Sequence, residues 1–294
     1  MPYTSITRIL GAVLGGVTIC LSLCSPVAAG DDDDKDKWRD VQYEPDVLAF
    51  SQAFRDSLAQ AKNVTWRRGM RSVPARALSK PEKFVYDVGW GPMRAGWGII
   101  ITKPDTASGL IHLMAKGMSN NFVSTFYKVR DFLYSPVDIE GLYPYFFEEH
   151  LREGRYDDDR WTLYDHENGL VYTHKKKYKK VEAPRFSQSV VSLLFYVRCM
   201  DLAPGDTFTI PTFVQGKNYQ VFFRTDSKLH TVKVDAGRFE CILVEPKLTG
   251  KGRVFTKKDK IRIWLSNDSR KIPVLIKSRV AVGSINVRLI HSEP

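Results

Sequence analysis

Cysteine is scarce, with four in 294 residues, and the short motifs that mark common enzyme chemistries are missing. No serine sits in a G-x-S-x-G elbow, which excludes the usual α/β-hydrolase nucleophile. The six histidines (His112, His150, His166, His174, His230 and His291) contain no H-x-x-x-H pair, so the helical zinc-protease arrangement is excluded. Gly89 and Gly91 fall between two strand-like runs rather than ahead of a helix, which removes the geometry of a phosphate loop. Cysteines without a paired histidine at ligand spacing do not make a zinc site. No cofactor is expected.

The N-terminus carries an export signal. Met1 to Arg8 holds one cation and no acid, Ile9 to Leu23 is uncharged and apolar, and Ser25 to Gly30 is small and turn-prone. This is the order of a secretory signal peptide, with Val27 and Ala29 as the small residues before a cut near Ala29. The apolar run of about 15 residues is shorter than the ~20 that span a bilayer as a helix. An uncleaved anchor is one alternative. A lipoprotein is another, although Ile19 and Leu23 stand before Cys20 and Cys24 where a small residue is needed. The expected location is periplasmic or secreted. The acidic run Asp31 to Lys37 cannot enter a core and reads as a solvated leader.

Three segments follow: the signal peptide over 1–29, a leader with a short helix and a basic linker over 30–81, and a β-rich domain over 82–294. The formal net charge is +11. Setting aside Arg8 and the net negative run Asp31 to Lys37 leaves about +13, a surface that attracts anions. For an exported chain, the partners that fit are an anionic lipid or acidic glycan of the envelope, or an envelope protein, and not nucleic acid. Beyond the signal peptide only Cys199 and Cys241 remain. An oxidising compartment permits a disulfide between them. Each also lies in an apolar stretch, where a buried free thiol is common.

Helical spacing of Val47, Leu48, Phe50, Phe54 and Leu58 predicts a short N-terminal helix within 38–61. From Glu82 onward, period-two runs separated by Gly, Asn and Asp turns predict strands. These include 121–133, 139–151 and 253–255. One helix interrupts them over 187–200, with Ser187 as its N-cap. The fold class is mainly all-β: a large curved antiparallel sheet forming a barrel, a half-open barrel or a sandwich.

Several runs resemble one family. They are Phe84, Tyr86, Val88, Trp90, Gly91, Ala95 and Gly96; Tyr143 to Glu149 with Arg152 to Tyr156; Ser192 to Tyr196 leading through Pro204 to Phe208 into Gly216 and Lys217; and Val244 to Pro246 with Ile263 to Asp268, Arg270, Pro273 and Val274. In order and spacing they resemble the bacterial envelope family called domain of unknown function 3108, over roughly 82–291. The resemblance implies an exported, β-rich protein. It supplies no catalytic residue.

The candidate sites are of three kinds. Lys175, Lys176, Lys177, Lys179 and Lys180 form one basic cluster, and Lys257 and Lys258 belong to a second in a late hairpin. They suit an anionic headgroup or glycan, or they keep a sheet edge soluble. Glu148, Glu149 and Glu153 on one hairpin are weak catalytic candidates for glycoside hydrolysis, set against simple pairing with Arg152, Arg155 and Arg160. Asp157 to Asp159 lack the spacing of an EF-hand loop. Trp90, Trp97, Tyr143 and Phe146 are candidate walls of an apolar cavity, or they fill a core. The leading expectation is a non-enzymatic envelope protein that binds an anionic amphiphile or polymer. A structural partner in an envelope complex and a glycan-acting enzyme are the alternatives.

Overall fold

The computed structural model describes residues 45–74, 76–91, 93–174, 177–249, 261–279 and 284–294. The signal peptide, the acidic run, the expected strand at 253–255, and Lys175, Lys176, Lys257 and Lys258 lie outside the described residues.

The described residues form fifteen strands, joined mostly by short turns: β1 (Glu82–Trp90), β2 (Met93–Asp105), β3 (Leu110–Ser119), β4 (Arg130–Asp138), β5 (Phe146–Glu153), β6 (Tyr156–Asp165), β7 (Leu170–His174), β8 (Tyr178–Glu182), β9 (Thr207–Val214), β10 (Lys217–Thr225), β11 (His230–Val234), β12 (Gly237–Thr249), β13 (Ile261–Ser266), β14 (Pro273–Arg279) and β15 (Ser284–Glu293). The helices are α1 (Pro45–Ala61), α2 (Asn121–Phe126) and α3 (Val190–Arg198). All strands belong to one sheet, in the order β8-β7-β6-β5-β4-β3-β2-β1-β15-β14-β13-β12-β10-β9, with β11 paired to β12. Every ladder is antiparallel. β1 and β15 are neighbours in the middle of the sheet, with Lys83 opposite Glu293.

The sheet curls without closing. Its free edges are β8 and β9, and the chain between β8 and α3 crosses the gap. Gln188 N donates to Pro211 O at 2.8 Å, Phe213 N donates to Gln188 O at 2.9 Å, and Asn218 Nδ2 donates to Glu182 O at 2.7 Å. Period-two alternation puts Phe84, Tyr86, Val88, Ile111, Leu113, Leu133, Val171, Ile263, Val287 and Leu289 on the inner face in one continuous core. α3 fills that interior with Val190, Val191, Leu194 and Val197. Its C-terminal Arg198 is fully buried; it donates from Nη2 to Glu82 Oε2 at 2.7 Å and to Arg270 O at 2.9 Å.

Helix 187–200 is shorter than expected, and its cap is Ser189 rather than Ser187. Ser189 Oγ accepts from Ser192 N, and Ser192 Oγ accepts from Ser189 N, a reciprocal capping box. The expected strand 121–133 is instead α2 followed by β4. Asn120 Oδ1 accepts from Val123 N at 2.8 Å, and Phe122 and Phe126 meet edge to face one turn apart. The expected strand 139–151 begins only at Phe146. Asp138 Oδ1 accepts from Glu140 N and Gly141 N, which folds the chain into a turn there, with Leu142 at φ 49°.

The stretch before Glu82 packs on the sheet and is not a free linker. α1 lies on the outer face, where Phe54 meets Phe146 and Trp161 edge to face. The next residues strap one end. Trp66 Nε1 donates to Tyr164 O, Arg71 Nε donates to Gly141 O, and Val73 N donates to Glu140 O. The Arg71 guanidinium also stacks over Phe186 and Tyr196.

Candidate functional site: the hairpin rim and the inner carboxylates

An antiparallel meander sends alternate turns to opposite ends. The β7–β8 turn therefore leaves the sheet at the same end as the connection between Thr249 and Ile261. Of the two basic clusters foreseen in the sequence, Lys177, Lys179 and Lys180 follow the first of these connections, and Lys257 and Lys258 lie outside the described residues. The same rim carries the turns β1–β2, β5–β6 and β9–β10 and also α2. Its described surface cations are Lys128, Arg130, Arg155, Lys177, Lys217 and Arg279, all exposed. Phe126 of α2 stands among them with 64% of its surface in solvent. Glycine at positive φ makes three of these turns: Gly91 at 58°, Gly154 at 63° and Gly216 at 78°.

Lys177, Lys179 and Lys180 are exposed at the edge of the sheet. Alternation divides them between the two faces of β8. The Lys180 ammonium lies 5.9 Å from the Tyr172 ring centre on the outer face, where Tyr178 stacks on Tyr172. Lysines on a five-residue edge strand also oppose edge-to-edge pairing with another chain.

The three glutamates do not share a site. Glu148 faces outward beneath α1, where it accepts from Ser51 Oγ. Glu149 and Glu153 face the interior, and all three are buried. Inside, Arg160 on β6 donates from Nη1 to Glu149 Oε1 at 2.5 Å and from Nε to Asp158 Oδ2 at 2.8 Å. Its Nη2 donates to the Tyr156 hydroxyl at 2.7 Å, and Tyr156 in turn donates to Asp158. Toward the rim, Asp131 sits beside Glu153 and accepts from Arg152 N at 2.9 Å. Burial, and then the charge of Glu153, pushes the Asp131 carboxyl up to about 8. On the outer face the hydrogen bond to Glu148 raises the His150 imidazole, against the effect of burial, and Asp159 at 2.8 Å adds to it. Sequence reasoning did not single out Asp131 or Arg160 as parts of one cluster. Their inward positions at register-matched points on β4 and β6 depend on pairing across strands.

The four aromatic candidates do not line one chamber. Trp90 packs on the inner core, Trp97 joins Val85 and Ile99 on the outer face, Phe146 lies under α1, and Tyr143 packs with Leu110 and Tyr145 at the strapped end. Cys199 and Cys241 are free thiols, not a disulfide. Burial pushes them up to about 11 and about 12, so both are protonated and unreactive at neutral pH. Among the described residues, no group of three or more His, Cys, Asp or Glu is arranged to hold a metal ion. No described helix is long and apolar enough to cross a membrane.

Residues 85–290 match the family described as "Protein of unknown function (DUF3108)". The chain belongs to this family. No curated protein matches it. Among solved structures, it is similar to a β-barrel-like protein of another family of unknown function, DUF1849, from Brucella abortus. Identity is 10% and the TM-score 0.52, over 73% of this chain and 97% of that one. That likeness is one of fold, and the open curled sheet described above agrees with it. An exported-protein candidate with a YmcC-like fold from Bacteroides fragilis matches at 10% identity and TM-score 0.28, over 74% and 97% of the two chains. A lipoprotein candidate from Parabacteroides distasonis matches at 8% and 0.30, over 76% and 100%. At those scores the last two carry no argument about this chain.

Proposed function

We propose that this is an exported, non-enzymatic envelope protein whose hairpin rim binds an anionic amphiphile, with anionic lipid headgroups as the favoured ligand. The secretory order of residues 1–30 supports export. One observation carries the binding reading: the two basic connections emerge at the rim that also presents the exposed Phe126. Cations attract the headgroups, and an aromatic side chain among them gains from entering the interface. The enzyme alternative has less support. Glu149 and Glu153 are four residues apart on one strand, so their Cα atoms are ~13 Å apart. Glycosidase carboxyls stand at roughly 5–9.5 Å and face an open cleft. Glu148 points to the opposite face.

Flotation with vesicles tests the reading. Binding to phosphatidylglycerol-containing vesicles is expected, with none to pure phosphatidylcholine and with loss at high salt. With each rim lysine contributing ~1 kcal/mol, the triple reversal Lys177→Glu, Lys179→Glu, Lys180→Glu weakens binding by about 100-fold or more. Phe126→Ser weakens it without changing its salt dependence. Equal binding of wild type and triple variant, or no binding to anionic vesicles at all, sinks the proposal.

A further inference from the structure

The strapped end of the sheet, opposite the rim, holds a buried cluster of charge that the rim does not use. Phe84 and Tyr86 project inward from β1, and alternation puts Glu82 on the same face. Two guanidinium groups share the Glu82 carboxylate. Arg198, the last residue of α3, donates from Nη2 to Oε2 at 2.7 Å, and Arg270, in the turn between β13 and β14, donates from Nε to Oε1 at 3.3 Å. Both lie over the Phe84 ring, 5.0 Å and 6.0 Å from its centre, and Arg198 also lies 5.4 Å from the centre of Phe195. The carbonyls of Arg270 and Lys271 accept the remaining bonds of the Nε and Nη2 side of Arg198.

Three donors of this cluster are left over. Arg198 Nη1, Arg270 Nη2 and the Tyr86 hydroxyl are buried and meet no acceptor among the described residues. A buried donor without a partner has given up its water for nothing. Protein interiors seldom leave one so, and a bound water or ion is the usual partner. Geometry and charge choose between the two. Nε and Nη2 of Arg198 are spent on Glu82 and the turn, so Nη1 is the edge of the fork that remains. Tyr86 stands ~7 Å along β1 from Phe84, and the Arg198 charge acts on its hydroxyl more strongly than the Glu82 charge does. Burial raises that hydroxyl far above its ordinary value, so it stays protonated and can donate. Two guanidinium groups on one carboxylate leave one unit of positive charge, and Asp268 and Lys271 of the same turn offset each other. A neutral water does not balance a buried cation, whereas one negative charge does. The walls are aromatic rings and a helix that fills the interior, so the anion that fits is small.

We propose that Arg198 Nη1 and the Tyr86 hydroxyl bind a small monovalent anion, a halide or a short carboxylate, with Arg270 completing the charge balance. The Arg270 side chain is 41% exposed, and the way in from solvent runs past it. The bound anion ties α3, β1 and the β13–β14 turn to one another. It binds the folded chain alone and therefore stabilises it.

Anion exchange tests this. The thermal midpoint of the purified protein is followed while sodium chloride, bromide or formate replaces sodium gluconate at fixed ionic strength. A saturable rise is expected with the halides or with formate, and whichever saturates identifies the form of anion taken. Sulfate, a dianion, should give no saturable rise. Tyr86→Phe keeps the ring and should weaken binding roughly 10- to 100-fold, the worth of one hydrogen bond to a charged group. In wild-type crystals grown with bromide, an anomalous peak is expected within hydrogen-bond reach of Arg198 Nη1 and Tyr86 Oη. The absence of any saturable rise, equal affinity in Tyr86→Phe, tighter binding of sulfate, or a bromide peak at crystal concentration only overturns the proposal. These readouts involve no vesicles, so this proposal and that of the rim stand or fall separately.

Discussion

The most consequential single residue is Asp131. Buried beside Glu153, it has its carboxyl pushed up to about 8, first by desolvation and then by the neighbouring charge. The Glu149, Asp158 and Arg160 side chains also face this part of the interior. In the unfolded chain an aspartate ionises near 3.9. The protonated form is therefore favoured by folding. Its contribution is fully present below about pH 4 and is lost as pH rises through 8. Urea unfolding of the wild type should show stability falling from pH 5 to pH 9. Asp131→Asn keeps an oxygen that can accept from Arg152 N and cannot ionise, so it should flatten that decline. A decline of unchanged slope in the variant would place the cause elsewhere. The cysteines teach a related lesson. Their apolar settings were visible in the sequence and allowed both a bond and a free thiol, and only the distance between β12 and the end of α3 could choose.

Among the elements, the strap after α1 shows how far a packing boundary departs from a family boundary. The family match begins at 85, yet Trp66 reaches Tyr164 O through its indole N–H at 3.0 Å and lies 5.3 Å from the Tyr145 ring. The Arg55 guanidinium lies over the Trp66 ring, 5.3 Å from its centre. Trp66→Ala removes all three interactions and should cost about 2–4 kcal/mol in chemical denaturation. A cost under 0.5 kcal/mol would mean that the strap is not part of the cooperative unit. The sequence signalled α1, α3 and most strands, because long periodic runs reveal their buried faces. It misled at 121–126, where Phe, Val, Ser and Thr have the composition of a strand. Asn120, three residues before Val123, was the helix signal available there. It misled again at 139–145, where the turn chemistry of Asp138 and Gly141 outweighs the surrounding aromatics. The rim could not be read at all, because which turns share an end follows from strand direction. The Glu148–Glu149 pair was likewise bound to split between faces once that segment was a strand.

At the scale of the whole molecule, the sheet is two meanders, β1 to β8 and β9 to β15, and they are joined by one ladder between the first strand and the last. The other two margins meet through the crossing at Gln188 and through Asn218 Nδ2, which donates to Glu182 O. A chain ending at Arg279 lacks β15 and leaves the paired edges of β1 and β14 bare. It should lose cooperative unfolding altogether, whereas a typical loss of about fifteen terminal residues frays an end. A sharp thermal transition near the wild-type midpoint in that truncation would contradict this account. The central ladder also sets an order in time. Chains are made and threaded N-terminus first, so β1 emerges early and its partner comes last. Until then the first strand has one unpaired flank, and the apolar core behind it is incomplete. The protein therefore passes through an unfinished, association-prone intermediate during synthesis, and a holding chaperone is most needed until β15 has appeared.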